Sequence, residues 1–178
     1  MNRNVLIAAV RSAILAVMAA RGTPLPVKQD YQPTAQGLPT ATVLLVHCVT
    51  ETRHGFTRRA EVWNPDTQQF DRIQSQQIET TLQFSVAGPQ APDDTTGPTL
   101  IDWAQRAAMA LGSDDCLAAL RASGIGIERI RDVRIVYSVD DREQHEGSPS
   151  FDAVFTHRDT VTESLPAVTG LDVIIDRV

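Results

Sequence analysis

Cysteine is scarce in this 178-residue chain: there are two, Cys48 and Cys116, far apart and in no CxxC-type pattern. A reduced cytoplasmic protein is the first reading of that usage, and a single structural disulfide the second. Aromatic residues are scarce too, at 5%, so the core has to come mainly from Val, Ile, Leu and Ala. A surplus of positive charge is missing: 16 Lys and Arg face 22 Asp and Glu, for a formal net charge of -6. A sequence-independent DNA binder needs the opposite imbalance to neutralise phosphates. The charge does not argue against a protein that lets DNA pass without holding it.

Catalytic signatures are also missing. There is no G-x-S-x-G, no P-loop and no H-E-x-x-H. GIGIE, residues 124–128, lacks the third glycine and the following helix of a dinucleotide loop, and reads as turn glycines between a helix and a strand. His47 and Cys48 are adjacent, so on a strand they face opposite sides and do not readily share a metal ion. His54 falls in a loop, and neither His145 nor His157 adds a zinc-ligand spacing, so no metal site is expected. The acid pairs Asp93–Asp94 and Asp114–Asp115 read as helix-capping groups, and Asp140–Asp141 as a loop tip. Trp103 reads as core and Trp63 as core or interface.

What is present is an ordinary globular balance, 42% hydrophobic and 21% charged, in a length sufficient for one domain with a real core. In NRNVLIAAVRSAILAVMAARG, Val10, Ile14, Val17, Met18 and Arg21 recur at helical spacing. An amphipathic helix ending near Gly22 follows, its stripe packing on the domain or on a neighbour. The same stretch resembles a signal peptide. However, Arg11 divides its apolar run and would cost roughly 2.5–3.5 kcal/mol near a bilayer centre. Next, TPLPVKQDYQPTAQGLPT is rich in proline and polar residues and reads as an extended arm or linker that holds the first helix away from the body.

From residue 41 the pattern changes. ATVLLVHCVT reads as a strand buried on both faces, FTRRAEVW as a second strand, and NPDTQQ as a turn before FDRIQSQ. QIETTLQFSVAG alternates, with Leu82, Phe84 and Val86 on one face and Thr81, Gln83 and Ser85 on the other, as in a half-buried antiparallel strand. It stops at Gly88-Pro89, because glycine tolerates positive φ and proline cannot continue a ladder. Asp93 and Asp94 supply capping groups and Pro98 suits a first turn. The stripe Leu100, Trp103, Ala104, Ala107, Ala108 and Leu111 then predicts a helix from about 93 or 98 to 111. SDDCLAALRASG predicts a short helix capped by Ser113 and closed by Gly124. Val133, Ile135 and Tyr137 alternate, as do Phe151, Ala153 and Phe155, around the polar DDREQHEGSPS, which predicts a long hairpin with a mobile tip. LDVII is a last strand. The fold class is α+β: a mostly antiparallel sheet with helices packed on one face, plus an N-terminal helix and an extended arm.

TTLQFSVAGPQAPDDTTGPTLIDWAQRAAMAL is similar to a stretch of the neck or tail terminator proteins of tailed bacteriophages. It has their strand, the Gly88-Pro89-x-Ala91 element, acids, and an Ala/Leu helix. DVRIVYSVDDREQHEGSPSFDAVFTH resembles that family's pair of long strands around a polar loop, and TGLDVIID its last strand. The similarity covers residues 35–178. One departure is SPS (148–150), where the family's loop often carries an arginine. The resemblance divides the chain into an N-terminal helix (1–22), an arm or linker (23–40) and a tail-terminator-like domain (41–178). It implies a structural virion protein, assembled in the host bacterial cytoplasm. Six copies would form a ring at the head-proximal end of the tail, end the tail tube and join it to the head connector. Its partners would be further copies of itself, the tail tube or sheath protein, and the head–tail connector or adaptor protein. DNA would cross the lumen without specific binding. No catalysis, cofactor or membrane is expected.

Within that frame, Asp140, Asp141, Glu143 and Glu146 are lumen candidates whose charge would repel DNA, or a solvated hairpin tip. Phe56, Trp63 and Phe70 are subunit-interface candidates, or core. Two other readings stand beside it. One is a small hydrolase, which requires a pocket with at least two convergent titratable groups. The other is a small secreted or cytoplasmic ligand-binding module, whose secreted form requires a cleaved N-terminal signal.

Overall fold

The first helix, α1 (Arg3–Ala20), starts where the Asn2 side chain accepts a hydrogen bond from the Val5 amide, an N-cap for an otherwise unsatisfied donor. A computed structural model describes residues 1–29, 39–89, 96–139 and 145–165, the side chains of 136–139 and 145–147 excepted. In it Leu6, Val10, Ile14, Val17 and Met18 are buried in the same core as the sheet residues. The helix is long and apolar enough to cross a membrane, but here its stripe faces α2, α3 and β1. Gly22, at φ +69, ends the turn that follows it. Residues 23–29 lie along the body: Leu25 and Val27 are buried, and β1 (Val27–Gln29) pairs parallel with β2. Residues 30–38 of the arm lie outside the described residues.

Three long strands make the frame: β2 (Val43–Asn64), β3 (Gln69–Ala87) and β6 (His145–Leu165), paired antiparallel in the order β2-β3-β6. The expected separate strands ATVLLVHCVT and FTRRAEVW are one strand, and so are FDRIQSQ and QIETTLQFSVAG. The intervening ETRHG is a bulge instead of a loop. Gly55 has φ +67, the register shifts between His54 and Arg58, and Gln76 Nε2 donates to the Gly55 carbonyl at 2.9 Å. His54 therefore sits in a strand. Two short strands, β4 (Gly126–Ile130) and β5 (Arg134–Val139), pair antiparallel with β6. The predicted last strand, LDVII, lies outside the described residues.

Alternation in β3 buries Ile78, Thr80, Leu82, Phe84 and Val86 beneath the helices. Phe151 and Phe155 of β6 meet them, the Phe84 and Phe151 rings stacked at 4.9 Å. Over this face lie α2 (Leu100–Leu111) and α3 (Asp114–Ala122). α2 is capped by Thr99 and not by Asp93 or Asp94, which lie outside the described residues. Thr99 and Asp102 satisfy each other's end of the helix in a capping box, so Pro98 precedes the cap instead of filling the first turn. Ser113 caps α3, and Gly124 at φ +73 closes it, as the sequence predicts. Gly88 ends β3 for a different reason from the expected positive φ. A Cβ there would meet the Thr42 backbone at 2.7 Å, so only glycine permits that approach. The result is the expected α+β architecture, one mostly antiparallel sheet carrying helices.

Candidate functional site

The helices cover only part of the sheet. Burial along β2 ends at Cys48, and every residue from Val49 to Trp63 is exposed. Beyond the register row Arg53, Ile78 and His157, the three long strands run on together as a blade to Asn64, Gln69 and Leu165. At about 3.3 Å per residue, the nine steps of β3 from Ile78 to Gln69 make the blade project roughly 30 Å. Among the described residues no strand pairs with the outer edge of β2 after Val46 or with that of β6 after Thr156. β-Branched and polar residues give the blade its extended conformation, and cross-strand pairs hold it. Arg72 donates to Glu61 at 2.9 Å, Asn64 to Asp71 at 2.9 Å, Ser164 to Gln69 at 2.6 Å, and His54 Nε2 lies 3.0 Å from Glu79.

Large apolar side chains mark this blade. Phe56, in the bulge, is 100% exposed; Val62, Trp63, Phe70 and Val161 are also exposed. Trp63 and Phe70 are register partners with rings edge to face at 5.1 Å, and Leu165 continues the row on β6. Register parity puts that row, near the blade's end, on the face the helices cover further down.

At the blade's base a groove of about 580 Å³ opens beside the N-terminus of α1, lined by Met1, Asn2, Arg3, Asn4, Glu51, Arg53, Ile78, His157 and Asp159. The Arg3 guanidinium forks onto Glu51 at 3.0 and 3.1 Å, and that bond holds the Glu51 carboxyl below its usual range. The Met1 ammonium lies 2.8 Å from Asp159 and lowers it likewise. Burial, then the same ammonium, pushes His157 down. His157 Nε2 is 3.1 Å from Thr80 Oγ1, an imidazole–hydroxyl pair of the kind that activates a nucleophile. Thr80 is 0% exposed, so no substrate reaches it, and the two carboxylates are held ionised by their cations. The groove's two carboxylates are thus held in structural ion pairs.

Of the residues singled out from sequence, Trp63 and Phe70 come together and Phe56 stands alone on the β2 edge. Asp140, Asp141 and Glu143 lie outside the described residues, as does the Glu146 side chain. Val62, Val161 and Leu165 escaped the sequence reading. Val161 and Leu165 lie beyond the Phe151, Ala153 and Phe155 alternation that the sequence reading followed, though TVTESL alternates as a strand does. Both cysteines are free, Cys116 fully buried and pushed up to about 11 by desolvation. Among the described residues no group of three or more His, Cys, Asp and Glu is placed to hold a metal ion.

The model of the E217 gateway protein gp29 family matches residues 5–167, all but the ends of the chain. The chain belongs to this family. Membership bears out the resemblance to the bacteriophage neck and tail-terminator proteins. Among solved structures, the gateway chain is similar to the PVC sheath/tube terminator in the extended state of an extracellular contractile injection system. The identity is 11% and the TM-score 0.48, over 97% of this chain and 64% of that one, so the chain spans about two thirds of that protein's length. No curated protein matches the sequence.

Proposed function

We propose that this gateway-family protein forms a homo-oligomeric ring, expected to be a hexamer, at the head-proximal end of the phage tail. The ring ends the tail tube, contacts the tube or sheath protein below and the connector or adaptor above, and lets DNA through its lumen without binding it. The observation that carries this reading is the blade. A chain of net charge -6 extends three paired strands past its own core and leaves Phe56, Trp63 and Phe70 in water. Exposed apolar rows of this kind on a rigid element are contact surfaces. Family membership supplies the setting. The division into helix, arm and body, and a lumen lined by Asp140, Asp141, Glu143 and Glu146, belong to the same proposal.

Trp63→Ser combined with Phe70→Ser removes the apolar row without touching the core. The variant is expected to keep its circular dichroism and to lose assembly at least about tenfold, the cost of a modest interface anchor. Size-exclusion chromatography with light scattering, and negative-stain imaging of particles, measure this. Unchanged rings in the variant would remove the blade from the interface.

A further inference from the structure

The sheet has two unlike flanks. On the β1–β2 flank, Lys28, Arg53, Arg58 and Arg59 are all exposed, and none forms an ion pair among the described residues. Between them the Gly55 bulge, clamped by Gln76, drives Phe56 fully into solvent. The opposite flank is closed by β4, with α3 packed on it. There Asp114 and Asp115 stand exposed and together at the start of α3, without ion-pair partners among the described residues, while further along Glu128 and Asp132 alternate with Arg121 and Arg129, and Arg131 and Arg134 share the buried Asp152.

A ring closes only through heterologous contacts, in which one patch meets a different patch of the next copy. A cationic β2 edge on one flank and the acidic start of α3 on the other meet that requirement; a two-fold contact would set each patch against its like. Resting on the ring reading above, we infer that the β2 edge around Phe56, Arg58 and Arg59 of one copy docks on the α3–β4 flank of the next. Phe56 is the anchor, and the arginines reach Asp114 and Asp115 at the N-terminal end of α3. The cations approach the acids beside a buried aromatic, where an ion pair is screened less than in open water.

The test uses the full chain. Arg58→Glu with Arg59→Glu, and separately Asp114→Arg with Asp115→Arg, are each expected to raise the protein concentration at half-assembly at least about tenfold. Thermal unfolding of each variant checks that it still folds. Mixing the two variants one to one restores the contact in both senses and is expected to return assembly to within about threefold of the parent chain, in rings of alternating subunits. Either reversal variant assembling as the parent does, or a mixture that stays dissociated, overturns this contact and leaves the ring standing. Phe56→Ser provides a second measurement: rings of unchanged stability in that variant also overturn the contact. A parent chain that stays monomeric to its solubility limit overturns the ring reading, and the contact with it.

Discussion

His157 shows how much a single side chain reports. It is 3% exposed, bonded to Thr80, and faces the Met1 ammonium, Glu51 and Asp159. Burial disfavours its cation, so the unfolded chain takes up a proton at a higher pH than the folded one. Stability is therefore full above the unfolded value near 6.5 and falls as the pH drops through it. Glu51 and Asp159 are shifted down by their cations, so their contribution holds until the pH reaches the unfolded carboxylate range and is lost below it. Urea titrations between pH 7 and 5 are expected to show a falling midpoint for the parent chain and a nearly level one for His157→Gln. A level parent curve would mean that His157 carries its proton in the fold. The lone histidine in THRD gave no sign of this role, because burial of a histidine depends on which strand lies opposite it.

At the scale of elements, periodicity identified what local chemistry determines. The α1 stripe, the Leu82, Phe84 and Val86 face of β3, and Phe151, Ala153 and Phe155 all stand where their spacing put them. Errors came where the cause lay further off. Thr99 caps α2 through a reciprocal bond with Asp102, which the more conspicuous Asp93–Asp94 pair obscured. ETRHG looked like loop because a bulge and a loop share glycine and polar residues. Only a partner strand distinguishes them, here through Gln76. The blade escaped notice because its faces are solvated, so alternation of apolar and polar residues fades. Two substitutions weigh these elements. Ile14→Ala, at a fully buried site, is expected to cost about 2–5 kcal/mol, whereas Thr99→Ala costs about 1 kcal/mol. Denaturant unfolding measures both; a smaller loss for Ile14→Ala would mean α1 is peripheral to the core.

For the molecule as a whole, the covered half of the sheet holds the core, and the bare half is the contact surface proposed above. Replacing residues 57–74 with a two-residue turn would shorten β2 and β3 to the bulge while leaving the core cluster intact. The shortened chain is expected to unfold within about 2 kcal/mol of the parent, since the removed residues are mostly exposed, and to form no rings. Calorimetry and light scattering on one sample decide both points. A chain that fails to fold would assign the blade a structural role instead.

The margins of the blade, unpaired among the described residues, have a cost before assembly. A long strand edge with free amides and carbonyls is a template on which other chains stack into fibres. Here Arg58, Arg59, Arg158 and Glu163 stand along those margins, and charge at an edge makes casual stacking unfavourable. The same arginines that would select the correct neighbour thus also keep the newly made chain from polymerising with the wrong one, so neutralising them should yield inclusion bodies sooner than defective rings.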